Sequence, residues 1–274
     1  MQNNPLKQFF RRPAVYLKLP SQGKNYEPNT LQIPENGEFP VYPMTAIDEI
    51  SVRTPDALFN GSAIVDLIQS CIPGIKDPWK LNSNDLDAVL IAIRAASGNQ
   101  TLDIDTLCPK CTETSRFGVN LIAILASLKY GDYDSLLEIN DLKIKFRPLT
   151  YKEMNEIGTA QFELQKRYNA VDSIEDSNEK ANMTALALKA ITELTMSTLA
   201  LTIEYIDTPN SRVDQKDFIN DFLRNCDGSV FVSIREHNTK LKMTTELKPL
   251  EIKCPNCNHE YTQPFSLNPA DFFG

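Results

Sequence analysis

Apolar and polar positions change period along this chain, and the changes mark out its elements. The first 40 residues are rich in Pro, Asn and Gly; only AVYLKLP (14–20) reads as a short strand, followed by turn chemistry in PSQGKNYEPN. In MTAIDEISVRT, Thr45 stands three residues before Asp48, the spacing of a capped short helix. GSAIVDLIQSCI (61–72) and NSNDLDAVLIAIRAASG (82–98) carry apolar residues at helical spacing. For the second of these, Ser83 is the expected cap, acidic residues fill the first turn and Gly98 is the stop. TLDIDTLCPKCTETSRFGVNL (101–121) then alternates on both sides of a cysteine turn, which predicts a hairpin with that turn at its tip.

A similar series follows. LLEINDLKIKFRP (136–148) predicts a tight hairpin about Asn140 and Asp141. LTYKEMNEIGTAQFELQKRY (149–168) opens a helix, with Thr150 and Glu153 as a capping box. Residues 169–180 break the pattern, and IEDSNE (174–179) reads as a solvated loop. Residues 181–206 form a long Ala- and Leu-rich helical stretch, and 214–225 and 227–238 two shorter helices. The final stretch, 241–267, again places strands around a cysteine turn.

Set side by side, FPVYPMTAIDEI (39–50) parallels IKFRPLTYKEMNEI (144–157), and LDIDTLCPKCTETSRFGVNL (102–121) parallels PLEIKCPNCNHEYTQPFSL (249–267). The expected fold is α+β, with two pseudo-repeated halves, each of helices plus a Cys-tipped β-hairpin. An extended arm over 1–38 precedes a first half over 39–130. A second half over 131–274 carries a helical insertion.

The repeat explains why one chain carries Cys-Pro-x-Cys twice. A structural zinc site needs four thiolate or imidazole ligands in a closed tetrahedron. Cys108 and Cys111 supply two, Cys254 and Cys257 the other two, so pairing of the hairpin tips completes one zinc-ribbon-like site with one structural zinc per chain. Four thiolates suit iron as well. Lys110 and Lys253 are placed to offset the charge. A redox pair is the rival reading, but it wants the motif at a helix start after a buried strand. Inert paired thiols, or His259 as a ligand in place of a cysteine, are the others. Cys71 and Cys226, in helical contexts, read as core thiols.

Composition narrows the function. The net charge of −8 argues against a nucleic-acid-binding surface as the main business, since phosphate neutralisation needs clustered Lys and Arg. No apolar run approaches bilayer length, and MQNNPLKQFFRRP lacks the apolar core of a secretory signal, so a cytoplasmic site of synthesis is expected. The two histidines, His237 and His259, sit in no recognisable nucleophile arrangement, and a glycine-rich phosphate loop is missing. The expectation is a protein that is no enzyme and has no small-molecule substrate, membrane or nucleic-acid partner.

Both ends read as docking segments. FFRRP (9–13) offers Phe9 and Phe10 as aromatic anchors and Arg11 and Arg12 for carboxylates on a partner; a disordered tail is the plainer reading. At the other end NPADFFG sets Phe272 and Phe273 beside the chain end, where burial on a partner contributes roughly 1.5–3 kcal/mol each.

YLKLPSQGK (16–24), YPMTAIDEI (42–50), LNSNDLDAVLIAIRAASGN (81–99) leading into CPKC, and FGVNL (117–121), in that order, resemble the T4-type bacteriophage baseplate protein family. Its members are baseplate hub subunits or hub assembly proteins of contractile-tailed phages. The resemblance implies a structural or assembly role in the tail baseplate, with hub, wedge or tail-tube proteins as partners. It implies a place in the virion, with the host cytoplasm as the site of assembly, and brings no catalytic residues. The alternative is a zinc-ribbon adaptor that contacts nucleic acid or the transcription machinery.

Overall fold

The computed structural model describes residues 5–54, 61–98, 100–171, 176–265, 267 and 272. The chain divides into two compact units, Met1–Tyr130 with Thr245–Gly274, and Gly131–Thr244.

In the first unit, a 3-10 turn over Pro5–Phe9 leads to β1 (Val15–Leu17), which pairs antiparallel with β2 (Phe39–Val41). α1 (Ala46–Ser51) starts in the expected capping box: Thr45 Oγ1 accepts the Asp48 N–H, and the Asp48 carboxylate accepts the Thr45 N–H. α2 (Ser62–Cys71) and α3 (Ser83–Ala96) make the core, with Ile64, Ile68, Cys71, Val89, Ile91 and Ile93 fully buried. α3 is apolar around most of its circumference, the pattern of a helix packed on several sides. Its cap is Asn82, not Ser83. Asn82 keeps an extended backbone and its side chain accepts the Asp85 N–H at 3.0 Å, while Ser83 is already the first helical residue. Gly98 ends the run at φ +96°, in the left-handed region that glycine enters without a Cβ clash.

β3 (Thr101–Leu107) and β4 (Thr114–Asn120) form the predicted hairpin, with Leu107 opposite Thr114. Asn120 then caps α4 (Leu121–Ser127).

The second unit opens with the hairpin of β5 (Leu136–Ile139) and β6 (Leu142–Phe146), turned at Asn140 with φ +53°. α5 (Tyr151–Val171) begins in the predicted Thr150–Glu153 capping box, and Arg147 forks onto the same Glu153 carboxylate. Burial alone would raise the Glu153 pKa, but the Arg147 and Thr150 donors outweigh it and hold the carboxyl below its ordinary range. α6 (Ser177–Thr202) follows, then β7 (Ile203–Asp207) and β8 (Arg212–Val213), giving an antiparallel sheet in the order β5-β6-β7-β8. Periodicity alone runs the helix on to residue 206. Ile203 and Ile206 instead pair with β6 and bury their side chains in the sheet. α7 (Lys216–Asn225) and α8 (Gly228–Thr245) complete the unit. α6 is long and apolar enough to cross a bilayer by length and composition alone, contrary to the expectation that no stretch reaches that mark.

The chain then forms a second cysteine hairpin of β9 (Leu250–Lys253) and β10 (Glu260–Gln263), with Lys253 opposite Glu260. The repeat pattern puts this hairpin in a second half over 131–274. It belongs instead to the unit that holds the first hairpin. The protein is α+β, with helices and small antiparallel sheets.

Candidate metal centre

Each cysteine turn is a six-residue loop between paired strand ends, and the two loops share their backbone hydrogen bonds. In the first, the Cys108 N–H donates to the Glu113 carbonyl at 3.0 Å and the Thr112 N–H to the Cys108 carbonyl at 2.9 Å. In the second, the Cys254 N–H donates to the His259 carbonyl and the Asn258 N–H to the Cys254 carbonyl, both at 2.9 Å. Thr112 and Asn258, each four residues past the first cysteine, both turn left-handed, at φ +57° and +56°. Two stretches with little sequence in common beyond Cys-Pro-x-Cys thus fold into the same knuckle.

The knuckles face each other. Cys108 Sγ lies 3.7 Å from Cys257 Sγ, and Cys111 Sγ 3.6 Å from Cys254 Sγ. All four sulfurs lie within 4.8 Å of one another. A disulfide needs S–S of about 2.05 Å. A tetrahedron with Zn–S of about 2.3 Å has edges near 3.8 Å, so the spacing fits four ligands about one ion. Cys108 and Cys254 are fully buried, and Cys111 and Cys257 are partly so. Tyr261 ties one hairpin to the other, its hydroxyl donating to Thr106 Oγ1 at 3.0 Å. His259 stays outside the cluster, its ring stacked on Tyr261 and its carbonyl engaged by Cys254.

Two of the four thiols are shifted, in opposite directions. Desolvation opposes ionisation of Cys108, but hydrogen bonds from the Cys111 and Lys110 N–H groups and the neighbouring thiols bring its pKa down to about 7. At Cys257 the His259 N–H favours the thiolate, yet desolvation and the crowding by three other sulfurs push the pKa up to about 12. The opposite shifts at Cys108 and Cys257 are what sulfurs sharing a small volume produce. A divalent ion at the centre would stabilise all four thiolates.

The family model of the T4 bacteriophage base plate protein matches residues 17–274. The chain belongs to this family. Comparison with curated proteins and with solved structures returned no match. Family membership carries a structural role in a phage baseplate, hence in the virion tail, with other phage structural proteins as partners.

In this baseplate protein the expected arm is only partly available to a partner. Phe9 and Phe10 are 77% and 58% exposed, and Arg12 is also exposed. Arg11 is engaged within its own unit. Its guanidinium donates to the Pro43 carbonyl at 2.6 Å and to the Ser70 carbonyl and Oγ at 2.8 Å, and it lies over the Tyr42 ring. It also pairs with Asp48, the capping-box carboxylate, at 3.4 Å. Phe272 is buried, with Arg94 over its ring at 4.9 Å, so the expectation of a free terminal aromatic does not hold for it. Phe273 lies outside the described residues.

Two features have no signal in the sequence. The Tyr261–Thr106 bond depends on which hairpin meets which. The other is a buried carboxylate: Asp85 accepts the Ser21 N–H at 2.9 Å, the Ser21 hydroxyl, and the Tyr26 hydroxyl at 2.7 Å. This is what the LPSQGK turn does, fastening the start of the chain to the first turn of α3. Burial raises the Asp85 pKa, against the donors that favour its charge.

Proposed function

We propose that this protein is a component of the hub region of a contractile phage tail baseplate, acting by protein–protein contact and stapled by one structural zinc. The observation that carries the reading is the cluster of Cys108, Cys111, Cys254 and Cys257 inside one compact unit of a baseplate-family chain. A closed four-thiolate site has no open position for substrate, so its role is to hold two hairpins together rather than to catalyse. Zinc is the preferred ion because it accepts this geometry without redox change.

The contacts proposed are to hub, wedge or tail-tube proteins, made during assembly in the host cytoplasm. Phe9, Phe10 and Arg12 are the exposed residues of the amino-terminal segment suited to this. We also read the chain as a duplication. The support is local: two capping boxes preceded by strands, two identical cysteine knuckles, and an arginine on each capping-box carboxylate, Arg11 on Asp48 and Arg147 on Glu153. Arg147 is part of its own segment, whereas Tyr42 stands at the matching place in the first half and Arg11 reaches over it.

The test is to purify intact tails and ask whether this chain is present, then to repeat the assembly with Cys108→Ser/Cys254→Ser. The reading predicts the chain in wild-type baseplates or their assembly intermediates and few complete tails from the variant. Complete, infectious tails formed without the chain would overturn it.

A further inference from the structure

In the second unit, α5, α6 and α8 enclose an open groove of about 710 Å³. Phe162, Ile191, Leu194 and Phe231 give it an apolar lining, and Phe162 and Ile191 are 57% and 42% exposed. The charged residues lining it, Arg235 and Lys242, are both cationic, although the whole chain is net −8. They lie seven residues apart on α8, which puts them on one face at a separation of about 10 Å along the axis. On α5, a Cβ at Gly158 would meet nothing within 4 Å, so the groove is open there.

We propose that this groove receives an amphipathic helix from another baseplate protein, with an apolar ridge directed at Ile191 and Phe162 and carboxylates about one heptad apart on the flank that meets α8. This rests on the reading that the protein acts by contact within the baseplate. Three helices line an open trough, a shape that accepts a helix with apolar residues at i, i+3/i+4 and i+7. Two cations on one wall and, among the described residues, no acidic group in the lining select an acidic flank over a basic one. The same apolar surface could be offered to a lipid bilayer, but the structure favours a protein. α6 carries Lys189 and Glu193 in its middle, Glu193 forms a fork with Arg224 of α7, and the helix runs directly into β7 of the sheet.

The test uses the full chain carrying a photocrosslinking amino acid in place of Ile191, produced in cells that assemble the phage tail. The expected adduct is with a different baseplate protein, at a segment with apolar helical periodicity and carboxylates along one edge. Arg235→Glu/Lys242→Glu should lower its yield at least about fivefold while circular dichroism and metal content stay unchanged. Exchanging the partner's carboxylates for lysines should restore it. An adduct with a second copy of this chain, with lipid, or with a segment lacking carboxylates would overturn the proposal. So would the absence of any adduct, or a yield indifferent to charge reversal. If the chain is found in baseplates under any of those results, the groove is wrong and the contact reading stands. Loss of the chain from baseplates altogether would count against that reading itself.

Discussion

Cys111 Sγ and Cys254 Sγ, 143 residues apart in sequence, lie 3.6 Å from each other. A contact of that sequence separation closes most of the chain into one loop. Whatever ion the cluster holds therefore ties the carboxy-terminal segment of the first unit, Thr245–Gly274, to the hairpin of β3 and β4. Substituting Cys254 with Ser should release more than its own hairpin. We expect loss of bound metal and a fall in the first unit's melting temperature on the order of 10 °C or more, read by calorimetry. A variant that melts like wild type would mean the cluster staples nothing.

The hairpins are also joined without metal. Tyr261→Phe removes the hydroxyl that donates to Thr106 and should cost about 1 kcal/mol in denaturant unfolding, with metal content unchanged. Loss of metal in this variant would show that the bond positions the ligands, a larger role than the one assigned.

Much of the fold can be read from period and punctuation, because the signals are local. The two capping boxes, the Asn140 turn, the Gly98 stop and both cysteine hairpins each depend on residues within a few positions of one another. That the four cysteines of the two hairpins would come together followed from counting, two pairs to one cluster. What pattern could not supply is pairing at long range. The second hairpin, adjacent in sequence to α8, packs with the first hairpin instead. Arg11 looked like a free anchor, since nothing nearby in sequence reveals that Ser70 and Pro43 would surround it. Phe272 beside the chain end gave no sign of the Arg94 side chain over its ring. β7 was lost in the helix before it, because a few β-branched residues at a helix end have no distinct period until β6 lies alongside.

The amino-terminal segment separates into an anchor and an exposed tip. Arg11→Ala should cost about 2 kcal/mol of stability, since it strips donors from a capping-box carboxylate and two carbonyls. Phe9→Ser/Phe10→Ser should leave stability within about 0.5 kcal/mol of wild type yet reduce recovery of complete tails. Normal tail yield from the double variant would move the contacts onto the folded body.

Asp85 should be the most sensitive carboxylate in the first unit. Asp85→Ala leaves the Ser21 and Tyr26 donors buried without an acceptor, and should cost about 2–4 kcal/mol. Chemical denaturation would show it. A cost below 1 kcal/mol would mean that the LPSQGK turn is held by something else.

Burial raises the Asp87 pKa to about 6. The unfolded value is near 3.9, so between about pH 4 and 6 the folded chain holds a proton that the unfolded chain has released. The Asp87 contribution to stability is therefore greatest below about pH 4 and declines as pH rises to about 6. Asp87→Asn should remove that decline and stabilise the protein at pH 7 by about 1–3 kcal/mol. An unchanged pH profile between 4 and 6 would count against it.

One zinc held by four cysteines from two hairpins is the expected state of the folded chain. X-ray absorption at the zinc edge, with metal analysis of the same sample, tests it most directly. We predict one zinc per chain and four sulfur neighbours at about 2.3 Å. Two zincs per chain, nitrogen or oxygen neighbours in place of sulfur, or a metal-free protein with all four thiols reactive would contradict it.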